Sequence, residues 1–434
     1  MKMKEEINVA LLGLGTVGCG VYKILTRHKE DFKEKIGATI NLKRILEIDM
    51  NRVDELGVDH NIVTSDYAVI VDDPEIDIIV EVIGGADPAK RFILDALDRG
   101  KHIVTANKEL MASQGEEILG KADDKNLDVY FEASVGGGIP IVRPLKQCLA
   151  GNKISKVMGI VNGTTNFILS QMSEAGCSFD EALEEAQRRG YAERDPSADI
   201  EGHDAAAKIA ILASIAFNSR VSSSQVYTEG ISNIKPQDIA YARELGCVVK
   251  LIAMAKEDNG QLEVRVHPTL IPRTHPLASV DAVYNAIFVV GDAVGEVMFF
   301  GEGAGSMPAA SAIVGDIIDI VRNIRYSSNG RIGCTCFKNK KIKPIDEINS
   351  SFYILMSVFD RPGVLAQIAQ VFGDNSVSLA SVIQKGPRGK KAELMFMTHL
   401  VKERNLHTAL ESIRSLALVN EIANVMRVER AQSD

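Results

Sequence analysis

The chain contains few cysteines and no long apolar segment. Its six cysteines are scattered over 434 residues, too few and too dispersed for the disulfide framework of a small secreted domain, so we expect a reducing, cytoplasmic location. Cys334 and Cys336 have no second Cys or His pair at metal-binding spacing, and no zinc site is predicted. Because no run of about 18 apolar residues occurs, the sequence predicts no membrane-spanning helix.

A concentrated positive charge is missing as well. The chain has 49 Lys and Arg against 58 Asp and Glu, a formal net charge of −9, whereas binding a phosphate backbone usually requires a basic face. We therefore expect neither nucleic acid nor a membrane as a partner. With 46% hydrophobic and 25% charged residues the composition is typical of a globular protein, and the length predicts two or three domains.

Residues 1–130 alternate short apolar runs with helical stretches, which predicts an α/β fold with a doubly wound, Rossmann-like parallel sheet. From residue 139 onward longer helical segments mix with strands, which predicts a second, α+β domain. Beyond a polar linker, the order βαββαβ predicts a ferredoxin-like module. The predicted domains are residues 1–138, with 303–330 returning to them, then 139–302, the linker 331–350 and the module 351–434.

A glycine-rich turn follows the first predicted strand. The motif Gly-Leu-Gly-Thr-Val-Gly comes directly after the apolar run 9–12 and opens a helix, which is the context of the dinucleotide-binding fingerprint. Its glycines would allow the tight turn, the close approach of backbone N–H groups to a pyrophosphate, and the close packing of helix on sheet. The predicted cofactor contacts are Gly13, Leu14, Gly15, Thr16, Val17 and Gly18.

An acidic residue is expected at the end of the second strand, where it would bind the ribose 2′-hydroxyl group of the cofactor. Glu47 and Asp49 are the candidates, although they follow the glycine turn by about 30 positions instead of about 20. A carboxylate there favours NAD because it repels a 2′-phosphate, but Arg44 and Arg52 flank the position and would offset that repulsion. These residues leave the choice between NAD and NADP open.

Two polar segments follow later strands of the predicted sheet. Lys108 comes shortly after the strand 102–105, at the carboxyl edge where this fold binds ligands, and a solvated lysine is an equally good interpretation. Glu132 precedes three glycines at 136–138, whose carbonyl groups are free to turn toward a hard cation. A flexible hinge between domains explains these glycines equally well.

Acidic residues cluster ahead of one lysine in the segment 190–208. Asp204 and Lys208 are four residues apart on a predicted helix, so their side chains share a face, and a carboxylate can position an amine for proton transfer at a hydroxyl or carbonyl group. From spacing alone, the favoured interpretation is an acidic helix cap with a surface ion pair. The acidic residues of the segment are Glu193, Asp195, Asp199, Glu201 and Asp204.

These motifs, in this order, resemble those of the homoserine dehydrogenases that carry a C-terminal ACT regulatory domain, and the resemblance covers nearly the whole chain. The segment 190–208 is its most specific part. The stretches 161–166 and 303–307 are similar to that family, and 360–363 with 381–384 are similar to an ACT domain. The resemblance implies NAD(P)-dependent interconversion of L-homoserine and L-aspartate 4-semialdehyde in threonine, methionine and isoleucine biosynthesis.

The resemblance also implies roles for individual residues. Lys208 would be the proton-transfer group, and Lys108 would assist near the nicotinamide and the substrate oxygen. The substrate amine would be bound by Glu193. The polar pocket would be completed by Asp199 and Asp204, further cofactor contacts would be Thr105 and Gly305, and a sodium ion would be held by Glu132 with the carbonyl groups of Val135, Gly137 and Ile139.

The resemblance further implies that the α+β domain is the catalytic and dimerisation domain, and that the protein is a homodimer or homotetramer. It also implies an amino-acid effector at the ACT domain, threonine in particular, unless that domain only dimerises. Family members that prefer NADP tend to have a basic residue where this chain has Glu47, Ile48 and Asp49, which favours NAD. Two alternatives stay open at this point. One is another amino-acid or semialdehyde dehydrogenase on the same scaffold, and the other is a non-catalytic sensor of nucleotide and amino acid.

Overall fold

The computed structural model describes residues 4–388 and 391–429, which divide into two compact units. The first unit comprises residues up to 157 together with 207–224 and 285–339, and the second comprises 158–206, 225–284 and the residues from 340 onward. The elements before residue 150 are β1 (Glu6–Leu12), α1 (Thr16–Arg27), α2 (Lys29–Ile36), β2 (Thr39–Leu46), α3 (Met50–Leu56), β3 (Val63–Thr64), α4 (Ala68–Val71), β4 (Ile76–Glu81), α5 (Ala89–Asp98), β5 (His102–Thr105), α6 (Lys108–Asp124) and β6 (Val129–Tyr130).

The later elements carry the remaining strands and helices of both units. They are β7 (Ile154–Ile160), α7 (Gly163–Ala175), α8 (Phe179–Arg188), α9 (Ser197–Ile200), α10 (His203–Ala216), β8 (Tyr227–Thr228), α11 (Pro236–Glu244), β9 (Cys247–Asp258), β10 (Gln261–Pro272), β11 (Tyr284–Gly291), β12 (Gly295–Glu302), α12 (Ser306–Tyr326), β13 (Asn349–Phe359), α13 (Val364–Asp374), β14 (Leu379–Arg388), β15 (Lys391–Thr398), β16 (Val401–Lys402), α14 (Glu403–Arg414) and β17 (Val419–Val428).

Six parallel strands form the sheet of the first unit. Their order, β3-β2-β1-β4-β5-β6, is that of a Rossmann fold, and it confirms the predicted doubly wound sheet. The strand order reverses between β1 and β4, and the loops that follow these two strands meet at one edge of the sheet. This edge is where open α/β sheets bind their ligands.

The core of the first unit lies between this sheet and its helices. Buried Val9 and Leu11 of β1 belong to one apolar cluster with Ile313 and Ile317 of α12. Gly20 permits the close contact of α1 with α12, because a Cβ atom at this position would lie 2.4 Å from the carbonyl oxygen of Ser306. The long helix α12 therefore packs directly on α1, the helix that follows the glycine-rich turn.

One predicted helix is interrupted. The pattern predicts a single helix over residues 17–35, whereas the chain leaves helical geometry at His28 and forms α1 and α2. Val21 and Leu25 before the break and Phe32 and Ile36 after it are all buried. Because the buried positions keep helical spacing across the break, the apolar pattern does not show it.

The second unit is built on a mixed sheet. β9 and β10 pair antiparallel along their whole length, β17 runs parallel beside β10, and the order continues β17-β13-β15-β14. From β13 to β17 the elements follow the predicted βαββαβ order, which confirms the ferredoxin-like module, with the short extra strand β16. Its core includes Phe372 and Phe396, whose ring centroids are 5.3 Å apart. The sequence pattern missed α7 and β12.

In the two described ranges, no helix is both long enough and apolar enough to cross a membrane.

Candidate active site

The turn between β1 and α1 has the geometry of an anion-binding site. Gly13 adopts φ +100° and donates its N–H to the carbonyl oxygen of Leu46 at 2.9 Å. A Cβ atom on Gly18 would lie 2.0 Å from the carbonyl oxygen of Gly13, so only glycine permits this packing. Gly15 occupies the N-cap position of α1, and no side chain caps the helix there. These residues fit a dinucleotide, because a pyrophosphate group would take the place of the missing cap.

The carboxylate of Glu47 points back into this turn. One oxygen accepts a hydrogen bond from the N–H of Leu14 at 2.6 Å, and the other accepts from the N–H groups of Ile48 and Asp49 at 2.8 and 2.9 Å. Burial, the largest effect, would raise the pKa of Glu47, but these three hydrogen bonds bring that pKa below its ordinary value. The Glu47 carboxylate therefore braces the turn.

Asp49 and Arg52 lie together beside the turn. Asp49 caps α3, and its second carboxylate oxygen lies 3.4 Å from Nε of Arg52. A Cβ atom on Gly15 would lie 3.6 Å from Nη1 of Arg52, so the guanidinium group is close to the predicted pyrophosphate position. Ile48 is 84% exposed, whereas Arg44 donates to backbone carbonyl groups. The end of β2 thus presents both a carboxylate and a cation.

A buried carboxylate organises the loops after β4 and β5. Glu81 ends β4 and accepts a hydrogen bond from Oγ1 of Thr105 at 2.6 Å through one oxygen. Its other oxygen accepts from the N–H groups of Ile83 and Gly84 at 2.9 and 3.3 Å. Burial raises the pKa of Glu81, and these hydrogen bonds oppose the rise. Sequence reasoning missed Glu81, since it looked like the polar end of an apolar strand.

Asn107 sets the start of α6 and thereby the place of Lys108. Its Oδ1 accepts from the N–H of Leu110 at 3.1 Å, and its Nδ2 donates to the carbonyl oxygen of Gly85 at 2.6 Å, in the loop after β4. Half-buried Lys108 is the first residue of this helix, at the carboxyl edge of the sheet. Asn immediately before a helix is a common cap, and this signal was available in the sequence.

The side chain of Glu132 caps the next helical segment. Its carboxylate accepts from the N–H groups of Ile141, Val142 and Arg143 at 2.5, 2.8 and 2.7 Å. Its own N–H donates to Oδ2 of Asp316 at 2.9 Å. Within the described chain no group of three or more His, Cys, Asp or Glu side chains is arranged to hold a metal ion. A cation in this loop would therefore depend on backbone carbonyl groups such as those of residues 135, 137 and 139.

Close packing accounts for two of the three glycines at 136–138. A Cβ atom on Gly137 would lie 2.6 Å from the carbonyl carbon of Gly303, and one on Gly138 would lie 2.8 Å from Cβ of Pro308. The loop that they contact contains Gly305, which has φ +125° and occupies the N-cap position of α12. Two glycine-rich loops of the first unit are therefore in direct contact near the start of α12.

In the second unit, one asparagine joins two of the predicted substrate carboxylates. Nδ2 of Asn162 donates to Oδ1 of Asp199 at 2.7 Å and to Oδ2 of Asp204 at 2.8 Å. Its Oδ1 accepts from the N–H of Thr165 at 2.9 Å and so caps α7. Asn162 and Asp204 are only 5% and 9% exposed. Asn162 belongs to the stretch 161–166 that resembles the family, but the sequence analysis assigned it no role.

The remaining predicted substrate residues are Glu193, in the segment between α8 and α9, and Lys208, in α10. Glu193 is exposed, and its backbone carbonyl accepts from Nε2 of Gln187 at 3.0 Å. Gly202, with φ +83°, precedes α10 where a Cβ atom would lie 3.0 Å from Cγ2 of Thr228. Helix α10 carries Asp204 in its first turn and half-buried Lys208 one turn later. A carboxylate pair at the start of the helix that carries Lys208 suits a polar substrate that gives up or accepts a proton.

A Rossmann sheet with a dinucleotide turn, followed by a polar site with a lysine, defines a nicotinamide-dependent dehydrogenase. Family models agree with this class. The model described as "Homoserine dehydrogenase, NAD binding domain" matches residues 13–132, the model "Homoserine dehydrogenase" matches 140–318, and the model "ACT domain" matches 352–418.

Whole-length relatives share these domains. The chain is 45% identical over 431 residues to the homoserine dehydrogenase of Synechocystis sp., covering 97% of this chain and 99% of the relative, and 41% identical over 427 residues to that of Bacillus subtilis, covering 98% and 99%. A solved homoserine dehydrogenase from Thiobacillus denitrificans has a TM-score of 0.94 at 41% identity, with 99% of each chain covered. The chain belongs to the homoserine dehydrogenase family. It is an oxidoreductase that interconverts L-homoserine and L-aspartate 4-semialdehyde with a nicotinamide cofactor.

Proposed function

We propose that Lys208 transfers the proton in the interconversion of L-homoserine and L-aspartate 4-semialdehyde. The observation that carries this proposal is the carboxylate pair that Asn162 holds at the start of the helix containing Lys208. Bound NAD(P) supplies the hydride acceptor or donor. The neutral Lys208 amine takes the hydroxyl proton in oxidation, and the Lys208 ammonium group gives it back to the carbonyl oxygen in reduction. Raising the pH is therefore expected to slow reduction and favour oxidation.

The role of Lys208 is tested with two replacements. Lys208→Ala should lower kcat by about 10²- to 10⁴-fold, the usual contribution of a general acid or base, with cofactor affinity near normal. Lys208→Arg keeps the positive charge but transfers a proton poorly, so its kcat should also fall. The matched control is Lys29→Ala, at an exposed lysine of α2. Unchanged kcat in both Lys208 variants would remove this residue from the mechanism.

Three carboxylates form the proposed site for the substrate amine. Glu193 binds the ammonium group of homoserine, while Asp199 and Asp204 complete the polar pocket that Asn162 organises. Glu193→Gln should raise the KM for homoserine about 10- to 100-fold, because it replaces a charged hydrogen bond with a neutral one. Asp195→Asn is the control, because the exposed Asp195 carboxylate only accepts hydrogen bonds from Ser197, two positions later. Equal KM values in the two variants would exclude Glu193.

Lys108 and Thr105 form the proposed nicotinamide end of the cofactor site. Asn107 starts α6 at the carboxyl edge of the sheet, which supports a position of Lys108 near the nicotinamide and the substrate oxygen. Gly305 has no side chain to obstruct the cofactor. Lys108→Ala should lower kcat less than Lys208→Ala does, because Lys108 only assists the reaction. Single-turnover kinetics separate the chemical step from binding and product release in each variant.

We propose that the chain uses both NAD and NADP, with Arg52 holding the 2′-phosphate of the latter. Glu47 is the weaker candidate for the ribose contact because its carboxylate braces the turn, which leaves Asp49. A solved hyperthermophilic archaeal homoserine dehydrogenase, 27% identical with a TM-score of 0.62, is in complex with NADPH. Arg52→Ala should raise the KM for NADPH about tenfold more than the KM for NADH, because the guanidinium group also lies near the pyrophosphate position that both cofactors share. Ile48→Arg should shift the preference toward NADPH.

A sodium ion at the carbonyl groups of Val135, Gly137 and Ile139 remains part of the proposal. Because the Glu132 carboxylate caps residues 141–143, its contribution would be its charge. Activity should then rise when sodium replaces choline at equal ionic strength, and equal rates would exclude the site.

The proposed effector site lies in the ACT domain. A pocket of about 400 Å³ is lined by Asp360, Arg361, Gly363 and Gln384 among others, a polar set suited to an amino acid such as threonine. Because β17 pairs with β10, deleting residues 351–434 would remove a strand from the sheet of the second unit and would perturb more than the effector site. Asp360→Ala is the sharper test, and it should abolish threonine inhibition while preserving the basal rate.

The oligomeric state, the domain limits and the location of the protein are also proposed. We propose a homodimer or homotetramer, which light scattering would measure, and the domain limits predicted from the sequence, which limited proteolysis would test. A cytoplasmic location is proposed because the six cysteines, all free, suit a reducing compartment.

A further inference from the structure

Two cysteines that the activity does not use are in contact in the first unit. The side chains of Cys334 and Cys336 lie close enough for each to shift the pKa of the other thiol. The Cys334 sulfur accepts a hydrogen bond from Nη2 of Arg220 at 3.3 Å. Sγ of Cys336 lies 3.5 Å from the carbonyl oxygen of Ser214 in α10. Both cysteines are half-buried.

The surroundings of the pair favour a thiolate at Cys334. Lys146 and Arg220 line the same cavity, and the N–H of Cys334 donates to Oδ2 of Asp123 at 3.3 Å, the nearby opposing charge. In the described chain, Nε of Arg220 and Oγ1 of Thr335 are buried without a hydrogen-bond partner. The neighbouring Cys336 side chain lowers the pKa of the Cys334 thiol; burial opposes this, and Arg220 and Lys146 support it. The pKa of Cys336 is raised by its neighbour's sulfur and by burial.

We propose that Cys334 and Cys336 form a dithiol that reduces hydroperoxides and closes into a disulfide. The Cys334 thiolate attacks the outer peroxide oxygen, the O–O bond breaks, and the leaving alkoxide takes a proton from solvent and departs as alcohol, or as water when the oxidant is hydrogen peroxide. The sulfur of Cys336 then attacks the sulfenic sulfur of Cys334. The S–S bond forms as hydroxide leaves with the Cys336 proton as water, so two thiols lose two electrons and one peroxide gains them.

Oxidation removes a contact to α10. The disulfide has no thiol hydrogen, so Cys336 no longer donates to the carbonyl oxygen of Ser214, and Arg220 loses its thiolate partner. Ser214 follows Lys208 by six positions on this helix. We expect the oxidised protein to exchange its amide hydrogens faster at the C-terminal end of α10. This structural readout does not depend on the role proposed for Lys208.

The chemical step is tested by peptide mass spectrometry after treating the full-length protein with hydrogen peroxide. The peptide containing residues 334–336 should lose two hydrogens, and Cys336→Ser should instead leave a sulfenic acid at Cys334 that dimedone traps. In Cys334→Ser, Cys336 should remain a thiol. Cys148→Ser, at an exposed cysteine, is the control and should form the same disulfide. Reduced Cys334 and Cys336 in a sample whose Cys148 is oxidised would overturn the proposal.

A second measurement requires no variant. The pKa of the Cys334 thiol lies below that of an ordinary thiol, so at about pH 6 a larger fraction of it is thiolate. A tenfold larger thiolate fraction costs only about threefold in nucleophilicity, so the net rate rises. Cys334 should therefore attack a small aromatic disulfide faster in the folded protein than in the urea-unfolded chain. Equal rates, or unchanged exchange of α10 after oxidation, would contradict the proposed dithiol and its contact with the helix.

Discussion

Replacing Asn162 should separate the two tasks of its side chain. Its Oδ1 caps α7 through Thr165, and its Nδ2 donates to Asp199 and Asp204 at 2.7 and 2.8 Å. Asn162→Ser keeps a cap acceptor but lacks the amide that reaches the carboxylates, whereas Asn162→Ala loses both. The difference between these two variants therefore measures the cap, and the difference between Ser and wild type measures the carboxylate bridge.

The magnitude follows from burial. A hydrogen bond to a charged group contributes about 1.5–3 kcal/mol, and a helix cap about 1 kcal/mol. The two bonds share one amide and do not add fully, so Asn162→Ser should lose about 2–3 kcal/mol of unfolding free energy and Asn162→Ala about 1 kcal/mol more. Water compensates little, because Asn162 and Asp204 are 5% and 9% exposed.

Asn162→Asp adds a test by pH. It keeps the cap acceptor but places a third carboxylate against Asp199 and Asp204, so like-charge repulsion raises the pKa of one carboxyl group above its unfolded value. A carboxyl group whose folded pKa is raised stabilises the fold at low pH, and this contribution is lost as the pH rises through the folded pKa. This variant should therefore be closer to wild type at about pH 5 than at about pH 8.

Urea unfolding followed by far-UV circular dichroism is the suitable assay, because the chain has no tryptophan to report by fluorescence. The KM for homoserine should rise in all three variants as the carboxylates separate. Asn375→Ser is the control, since its amide donates to the neutral carbonyl of Val371 at 2.8 Å. The reasoning is refuted by Asn162→Ser with wild-type stability and KM, or by Asn162→Asp with the same relative stability at both pH values.

Three further predictions concern the turn, a buried ion pair and a buried acid. Gly18→Ala should weaken NADH and NADPH binding at least about tenfold, because the new Cβ would lie 2.0 Å from the carbonyl oxygen of Gly13, and unchanged dissociation constants by calorimetry would exclude the turn as the cofactor site. Arg427→Met should cost about 3–5 kcal/mol of unfolding free energy, because the fully buried Glu403 loses the guanidinium group that binds it at 2.6 and 2.7 Å. Adding Glu403→Gln to this variant should recover part of the lost stability. No recovery would show that the unpaired carboxylate is not the cause. Burial raises the pKa of Asp316 to about 7, so the stability that this carboxyl group contributes below about pH 4 is lost as the pH rises to 7. Asp316→Asn should therefore flatten the pH dependence of the melting temperature. An unchanged slope would show that the carboxyl group is ionised throughout.

Local patterns determined much of this protein. The alternation of apolar strands with helices predicted the parallel sheet, and the glycines at 13–18 predicted the turn that caps α1. The order of elements after residue 350 predicted the ferredoxin-like module. These features could be read because strand burial, helix periodicity and turn glycines depend on residues close together along the chain. The roles of Lys108 and Lys208 came from family resemblance, since spacing alone favoured neither.

Tertiary structure decided how polar side chains are used. Asn162 bridges carboxylates 37 and 42 positions away, and Glu47 accepts from Leu14 33 positions earlier. Glu132, expected beside a cation, caps the segment that follows it. No local pattern reveals these partners, because a buried carboxylate or amide accepts whichever donor the packing of distant elements brings within about 3 Å. Sequence therefore named the polar residues, and the fold assigned each one its partner.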